Sequence, residues 1–226
     1  ISEFRKDMVS GEWILISTKR KLRPHPFGKK KTAKKISKKG CIFEDPQKNG
    51  NPFPIIWYPR PTKNKEGGKN HFKDWFIQVI PNKFPALFRS SFCPEISMQG
   101  PYEKVESAGF HEVIITRDHN RPIHKMTIEE ISSVLRVYRE RYQTIEKEKC
   151  IEYVLIFHNE GELAGASVPH PHSQLVAMPI VPPDVSGSIN GGLAFYERHK
   201  KCVHCVMLNY EKKEKKEIIY QNKHFI

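Results

Sequence analysis

His170, His172 and Gln174 occupy alternate positions in the stretch VPHPHSQ, Val168 to Gln174. In an extended backbone alternate side chains share a face, so these three stand together and Pro169, Pro171 and Ser173 take the other side. The prolines fix φ and remove two amide donors, and each pushes the residue before it toward extended geometry. The backbone is therefore stiff where the imidazoles are presented. Two imidazoles and a carboxamide in a row can bind a metal, hold a phosphate or attack one. A neutral imidazole is a good nucleophile toward phosphorus when its other nitrogen keeps a proton donated to a fixed acceptor. The competing reading is a pair of structural histidines beside a turn. What precedes them favours a site: in FHNEGELAGAS, Phe157 to Ser167, glycines and small residues let a backbone approach a ligand. Asn159 and Ser167 in that stretch can donate to phosphate oxygens.

These residues need elements to hold them. GEWILIS (Gly11–Ser17), WFIQVIP (Trp75–Pro81), HEVIIT (His111–Thr116), EYVLIF (Glu152–Phe157) and SQLVAMP (Ser173–Pro179) read as strands, being β-branched and bounded by turn formers. A helix is predicted from about Ile128 to Glu146, with Ile128, Ile131, Leu135, Tyr138, Tyr142 and Ile145 at three–four spacing. Thr127 and Glu130 form a capping box at its start. Between Pro24 and Asp74 the chain is rich in Pro, Gly and Lys and reads as long loops. Strands outnumber helices, and only one segment could be a crossover helix. The expected class is α+β with an antiparallel sheet.

A chain of 226 residues can bury a sizeable core. No apolar run approaches the roughly 20 residues of a membrane span, and the start reads as a charged strand rather than a signal peptide. The compartment expected on those grounds is the cytoplasm. The net charge of +13 comes largely from GKKKTAKKISKKG, Gly28 to Gly40, and YEKKEKKE, Tyr210 to Glu217. Such tracts attract anions, or are simply solvated loops. They lack the aromatic interleaving of single-strand binders, and no nucleic-acid motif accompanies them.

The five cysteines make a poor disulfide framework and a better source of metal ligands or free thiols. Cys93 and Cys150 suggest only buried thiols. Cys41 opens CIFE and Cys202 opens CVHC. Each knuckle is followed by a charged loop and then by an aromatic residue opening an apolar stretch, KDWFIQVIP and NKHFI. That echo looks like an internal repeat whose second copy breaks off within its first strand, so the sequence reads as a fragment.

FHNEGELAGASVPHPHSQ resembles the active-site segment of the galactose-1-phosphate uridylyltransferases, the nucleotidyltransferase branch of the histidine-triad superfamily. RKDMVSGEWILISTKRKLRP resembles the family's N-terminal segment, and VIPNKFPAL its nucleoside-binding segment. The Cys41 knuckle, His119 in RDHN and His170 resemble its zinc site. The similarity runs from Arg5 to about Pro182, and from Cys202 onward the chain resembles the start of the family's second half.

The resemblance implies a HIT-like antiparallel sheet with packed helices. Residues 1–185 would be the first half, and 186–226 the beginning of an incomplete second half. It implies that His172 attacks the α-phosphorus of UDP-glucose and holds UMP as a phosphohistidine until galactose 1-phosphate takes it. Gln174 would hold the phosphoryl oxygens. Arg20 and Arg23 would neutralise nucleotide charge, Asn82 and Phe84 would contact the nucleoside, and Asn159 and Ser167 would donate to the sugar phosphate or diphosphate. Zinc would be structural, on Cys41, Glu44, His119 and His170. A second zinc would use Cys202, Cys205 and His224, with a fourth ligand beyond Ile226. His199 and His204 read as surface residues. A homodimer is the assembly the family implies.

Two departures matter. Glu44 stands where the family commonly has a second cysteine, and Lys83 where well-known members carry an aspartate. A carboxylate accepts from ribose hydroxyls while lysine only donates, so the preference for uracil is less firmly implied than the fold. Two other readings therefore stay open. One is an adenine-nucleotide sugar or dinucleotide phosphorylase of the same superfamily. The other is a basic zinc-binding module for nucleic acid, against which the Asn159–Gln174 motifs argue.

Overall fold

The computed structural model describes residues 2–6, 13–17, 37–61 and 72–226. The chain divides into two compact units, Ile1–Ile180 and Val181–Ile226.

In the first unit, β3 (Ile56–Pro59), β4 (Trp75–Pro81), β7 (Phe110–Thr116), β8 (Tyr153–His158) and β9 (His172–Met178) form one antiparallel sheet in the order β3-β4-β7-β9-β8. A second antiparallel sheet has the order β2-β1-β6-β5, from β1 (Ser2–Lys6), β2 (Trp13–Ser17), β5 (Ser97–Gln99) and β6 (Tyr102–Glu106). The α+β class with antiparallel sheets is thus the one the sequence indicates. Its central strands are buried on both faces and read as apolar runs rather than alternations. Phe76, Ile77, Val79 and Ile80 of β4 are all fully buried, as is Ile115 of β7.

One helix, α1 (Ile128–Ile145), packs on one face of the five-stranded sheet. Thr127 caps it in a full capping box with Glu130, as the sequence predicts. Its buried stripe differs from the apolar stripe of the sequence. Glu130, Val134, Val137, Arg141 and Ile145 are buried, whereas Ile128, Leu135 and Tyr142 are exposed. The cause is ion pairing. Arg141 makes a bidentate pair with Glu112 of β7, at 2.9 and 2.7 Å, and Arg121 donates to Glu130. Two paired charges occupy positions that hydrophobicity alone assigns to solvent.

β7 and β9 approach so closely at one point that only glycine fits. A Cβ on Gly109 would lie 2.1 Å from the Ala177 carbonyl oxygen, and its φ is +148°. That contact sets the register in which Val113 faces Gln174 and Ile115 faces His172.

Other expectations are corrected here. The predicted loop region between Pro24 and Asp74 contains β3 among its described residues. The second unit contributes two further helices, α2 (Pro183–His199) and α3 (Val203–Glu214). Pro183 sits at the first helical position of α2, where its missing N–H costs nothing, and the three glycines of PDVSGSINGGLAFYERH hide the helix from propensity reasoning. NKHFI, expected to open a strand, has no strand structure. Cys93 and Cys150 are not buried thiols: they form a disulfide, with Cys93 exposed and Cys150 half-buried. Among the described residues no helix is long and apolar enough to cross a membrane.

Candidate active site and metal cluster

β9 sorts its residues by parity. His172 and Gln174 line a cavity of about 220 Å³, while Ser173 turns to the other face and bonds to Tyr138 of α1. The cavity is further lined by Ile42, Phe43, Asn49, Asn51, Asn82, Lys83, Phe84, Val113, Ser167 and Val168. Four segments far apart in sequence build it: the turn 41–51, the Asn82–Phe84 segment after β4, Val113 of β7, and β9 with its approach.

The hydrogen bond at Nδ1 assigns the tautomer of the neutral His172 ring. Its Nδ1 lies 2.8 Å from the His170 carbonyl oxygen, which can only accept. Nδ1 therefore carries the proton and Nε2 the lone pair. The ring is almost fully buried and packs edge-on against Phe43, 5.1 Å between centroids.

His170 precedes the strand and belongs to a different cluster. It is fully buried, and its Nε2 lies 2.6 Å from the Thr116 carbonyl oxygen. The same carbonyl logic puts the proton on Nε2 and turns the Nδ1 lone pair toward His119 Nδ1, 3.2 Å away, and Cys41 Sγ, 3.5 Å away. The ligand atoms of Cys41, His119 and His170 all lie within 4.8 Å of one another. Glu44 Oε2 is buried, accepts no hydrogen bond, and sits 3.3 Å from His119 Nδ1. The thiol and the two imidazoles form a donor set that fits zinc, and Glu44 stands beside His119 outside that group of three. Burial pushes the His170 imidazole below its ordinary value, which keeps it neutral and able to ligate; the Thr116 carbonyl pulls the other way. Burial raises the Cys41 thiol, which without a cation beside it disfavours the thiolate.

The cluster and the cavity share a wall. Asn49 donates to the Cys41 carbonyl at 3.2 Å, and Asn51 donates to those of Ile42 and Pro46 at 2.9 and 3.1 Å. The turn that carries Cys41 therefore also places Ile42, Phe43, Asn49 and Asn51 around the cavity.

Of the residues singled out from sequence, His172, Gln174, Asn82, Phe84 and Ser167 line the cavity together. Asn159 is exposed beyond the end of β8 and does not line it. Arg20 and Arg23 lie outside the described residues, as does most of the Gly28–Gly40 lysine tract. Cys202 is the N-cap of α3 and Cys205 stands in its first turn. Both are exposed, as is His224. Among the described residues these three do not form a ligand group like the Cys41 cluster. The backbone N–H of Cys205 and then its side chain lower the Cys202 thiol, and the same partnership raises that of Cys205.

Sequence reasoning passed over Asn49, Asn51, Phe43 and His111. The first two lie in the stretch read only as long loops. His111 carried a usable signal, because strand alternation places it on the face of Val113 and Ile115, and its Nε2 lies 3.0 Å from Gln174 Oε1.

Comparison with known proteins gives a family match over most of the chain. The family described as "Galactose-1-phosphate uridyl transferase, N-terminal domain" matches residues 1–182. An ADP-glucose phosphorylase of Arabidopsis thaliana is 31% identical over 99% of this chain and 60% of its own length. A galactose-1-phosphate uridylyltransferase of Thermotoga maritima is 26% identical over 99% of this chain and 61% of its own length. A solved structure described as that of a uridylyltransferase superposes with a TM-score of 0.67 at 27% identity, covering 98% of this chain and 59% of that one. The chain thus spans about 60% of the length of the curated relatives it matches.

Proposed function

The chain belongs to the galactose-1-phosphate uridyl transferase family, and from that premise we propose that it is a nucleotidyltransferase that works through His172. The observation that carries the reading is the His172 tautomer: Nδ1–H is donated to the His170 carbonyl, so a lone pair stands on Nε2 of a side chain lining the cavity. Nε2 attacks the α-phosphorus of a nucleotide sugar. The bond from that phosphorus to the bridging oxygen breaks, and the sugar 1-phosphate leaves with the electron pair. The imidazolium that forms keeps its Nδ1 proton on the His170 carbonyl. An oxygen of the incoming acceptor phosphate then attacks the same phosphorus, the P–N bond breaks, and His172 returns to its starting state with no net proton change. Gln174 and Ser167, both on the cavity wall, donate to the phosphoryl oxygens as charge develops.

Zinc enters only as structure. Cys41, His119 and His170 would hold it, with Glu44 as the fourth donor, and when bound it fixes the turn that walls the cavity and the carbonyl that orients His172.

The first reading of the substrates is UDP-glucose with galactose 1-phosphate. A second reading, an adenine-nucleotide sugar with a phosphate acceptor, is favoured by two observations. The Arabidopsis thaliana protein at 31% identity is an ADP-glucose phosphorylase, and no carboxylate lines the described cavity, where Lys83 follows Asn82. The test is the mass of the protein after incubation with UDP-glucose or with ADP-glucose. A gain of one UMP per site, discharged by galactose 1-phosphate, supports the first reading. A faster gain of AMP, discharged by inorganic phosphate, replaces it with the second. No adduct from either donor refutes both. Assembly as a homodimer belongs to the same proposal, and sedimentation checks it.

A further inference from the structure

His111 is a buried imidazole in the centre of the sheet with no part in the mechanism above. It touches both halves of the cavity. Its Nδ1 lies 3.0 Å from the backbone nitrogen of Ala86, which can only donate. Nδ1 therefore holds the lone pair, and in the neutral ring Nε2 carries the proton. Nε2 in turn lies 3.0 Å from Gln174 Oε1. A ring N–H facing a carbonyl oxygen assigns the Gln174 carboxamide: Oε1 is held by His111, and the –NH2 end is the end left for the cavity that Gln174 lines.

The backbone of the same residue braces the nucleoside segment: the Asn82 backbone nitrogen donates to the His111 carbonyl at 2.9 Å, while Asn82 Nδ2 lies beside His111 Nε2 at 2.9 Å. Asn82 Oδ1 accepts from the Phe84 backbone nitrogen at 2.9 Å, which fixes which end of that amide is which. With the proton on Nε2, the ring has no lone pair there for Asn82. Its amide hydrogens remain for an acceptor on a ligand.

We propose that His111 is the positioning residue of this site. It fixes Gln174 as a hydrogen-bond donor to the transferring phosphoryl group and ties that orientation to the Asn82–Phe84 segment. The inference rests on the transfer reading given above for its consequence, but not for its geometry. A glutamine without His111 can present either end of its carboxamide. With Oε1 outward it would turn a lone pair toward phosphoryl oxygens that already carry negative charge. His111 removes that wrong state without touching the reacting atoms.

The experiment is a double-mutant cycle read in single turnover, as the rate at which the protein gains the nucleotide mass. His111→Phe keeps an aromatic ring in the strand and removes the donor. It is expected to slow adduct formation roughly tenfold to a hundredfold, at or below the loss from deleting an oxyanion donor outright, with a smaller change in the donor concentration for half-maximal rate. Gln174→Ala should cost as much or more. Because His111 acts through Gln174, the double variant should fall within about twofold of Gln174→Ala alone. Losses that multiply, or an unchanged His111→Phe rate, overturn the proposal. A second measurement needs no activity. Nitrogen-15 spectra of the imidazoles should show His111 protonated at Nε2 near neutral pH, and the Gln174 side-chain amide protons should shift in His111→Phe. A ring protonated at Nδ1, or unmoved Gln174 signals, overturns it as well. If the wild type forms no adduct with either nucleotide sugar, the transfer reading fails while the spectra still decide the positioning claim; if the spectra fail while adduct forms, the reverse holds. Should His111→Phe not fold, His111→Leu, which likewise removes the ring donor, takes its place in both measurements with the same expected losses, and an unchanged rate or unmoved Gln174 signals again overturn the proposal.

Discussion

On one side of β9, His172, Gln174 and Val176 face the cavity side of the sheet; on the other, Ser173, Leu175 and Ala177 face the α1 side. The helix-facing residues are all buried, and the cavity-facing ones are mostly half-buried. Period-two alternation lets one strand carry a cavity face and a packed face without compromise between them. The polar side chains of the cavity face are held by groups outside the strand. The His170 carbonyl fixes His172, and His111 reaches Gln174. On the packed face the burial is apolar apart from Ser173, whose hydroxyl meets Tyr138 and, at 2.9 Å, His158 Nδ1. Substitutions on the two faces should therefore separate activity from stability.

The largest separation is expected at His172. His172→Gly should lower nucleotide exchange by at least about a thousandfold, since a covalent nucleophile has no substitute in the cavity. Its stability cost should be about 1 kcal/mol for the glycine in a strand, plus the packing lost where the ring meets Phe43. Mass spectrometry and urea unfolding measure the two. A normal adduct on His172→Gly would move the nucleophile elsewhere, with His170 the next candidate.

Leu175→Ala is the counterpart on the packed face. Leu175 is fully buried against Ile145, Ala177 and Ile156, so truncation should cost about 2–5 kcal/mol. Activity per folded molecule should stay within about twofold, because the backbone of β9 is held on both edges by β7 and β8. A large loss of activity in a protein still folded at the assay temperature would mean that the two faces are coupled.

A smaller effect should follow at the Cys41 cluster, none of whose three residues lines the cavity. His119→Ala should lose the zinc of the Cys41 cluster and lower Tm by several degrees, about 2–4 °C for each kcal/mol in a chain of this size. Adduct chemistry should slow less than in His172→Gly. Cys202→Ser should leave that zinc in place, because the ligand group consists of Cys41, His119 and His170. Zinc content by elemental analysis decides both. A fully stable, metal-free wild type would remove zinc from the account.

That His172 and Gln174 share a face was legible in the sequence because the signal is local. His172 and Gln174 two apart, between prolines, need only the strand period to be placed on one side. His170 shares their parity but lies before the strand; its grouping with Cys41 and His119 was readable only through the family resemblance, because its partners Thr116 and His119 are more than fifty residues away in sequence. The cavity wall from Asn49 and Asn51 was illegible for the same reason, since nothing in QKNGN says which carbonyls the amides will meet. In α1 the start was readable from Thr127 and Glu130, but the buried stripe was not. Hydrophobicity cannot foresee that Arg141 is buried because Glu112 of β7 awaits it. The Cys93–Cys150 disulfide joins residues 57 apart and leaves no local trace.

The smallest expected effect lies on the packed face and is set by pH. His158 is half-buried beside Ser173, and burial pushes its imidazole below the ordinary value of 6.5, with the Glu160 carboxylate opposing. The folded state therefore binds a proton on His158 less readily than the unfolded chain does. Between the lowered folded value and about 6.5, the unfolded chain carries more protons, so stability rises with pH. The contribution is fully present above about pH 6.5 and is lost as pH falls through that window. His170, also lowered by burial, acts in the same direction, so the wild type has more than one source of acid sensitivity. His158→Gln removes one source and keeps a side chain able to bond Ser173. The urea midpoint of the wild type should drop between pH 7.5 and pH 5.5 by more than that of His158→Gln, while the midpoints of the two at pH 7.5 differ little. Ser173→Ala, which removes the hydroxyl shared with Tyr138, should leave the extra acid sensitivity in place, because burial and not that hydrogen bond is the leading cause. Equal drops in wild type and His158→Gln would show that the packed face does not titrate and would leave the acid sensitivity to the buried ring of His170.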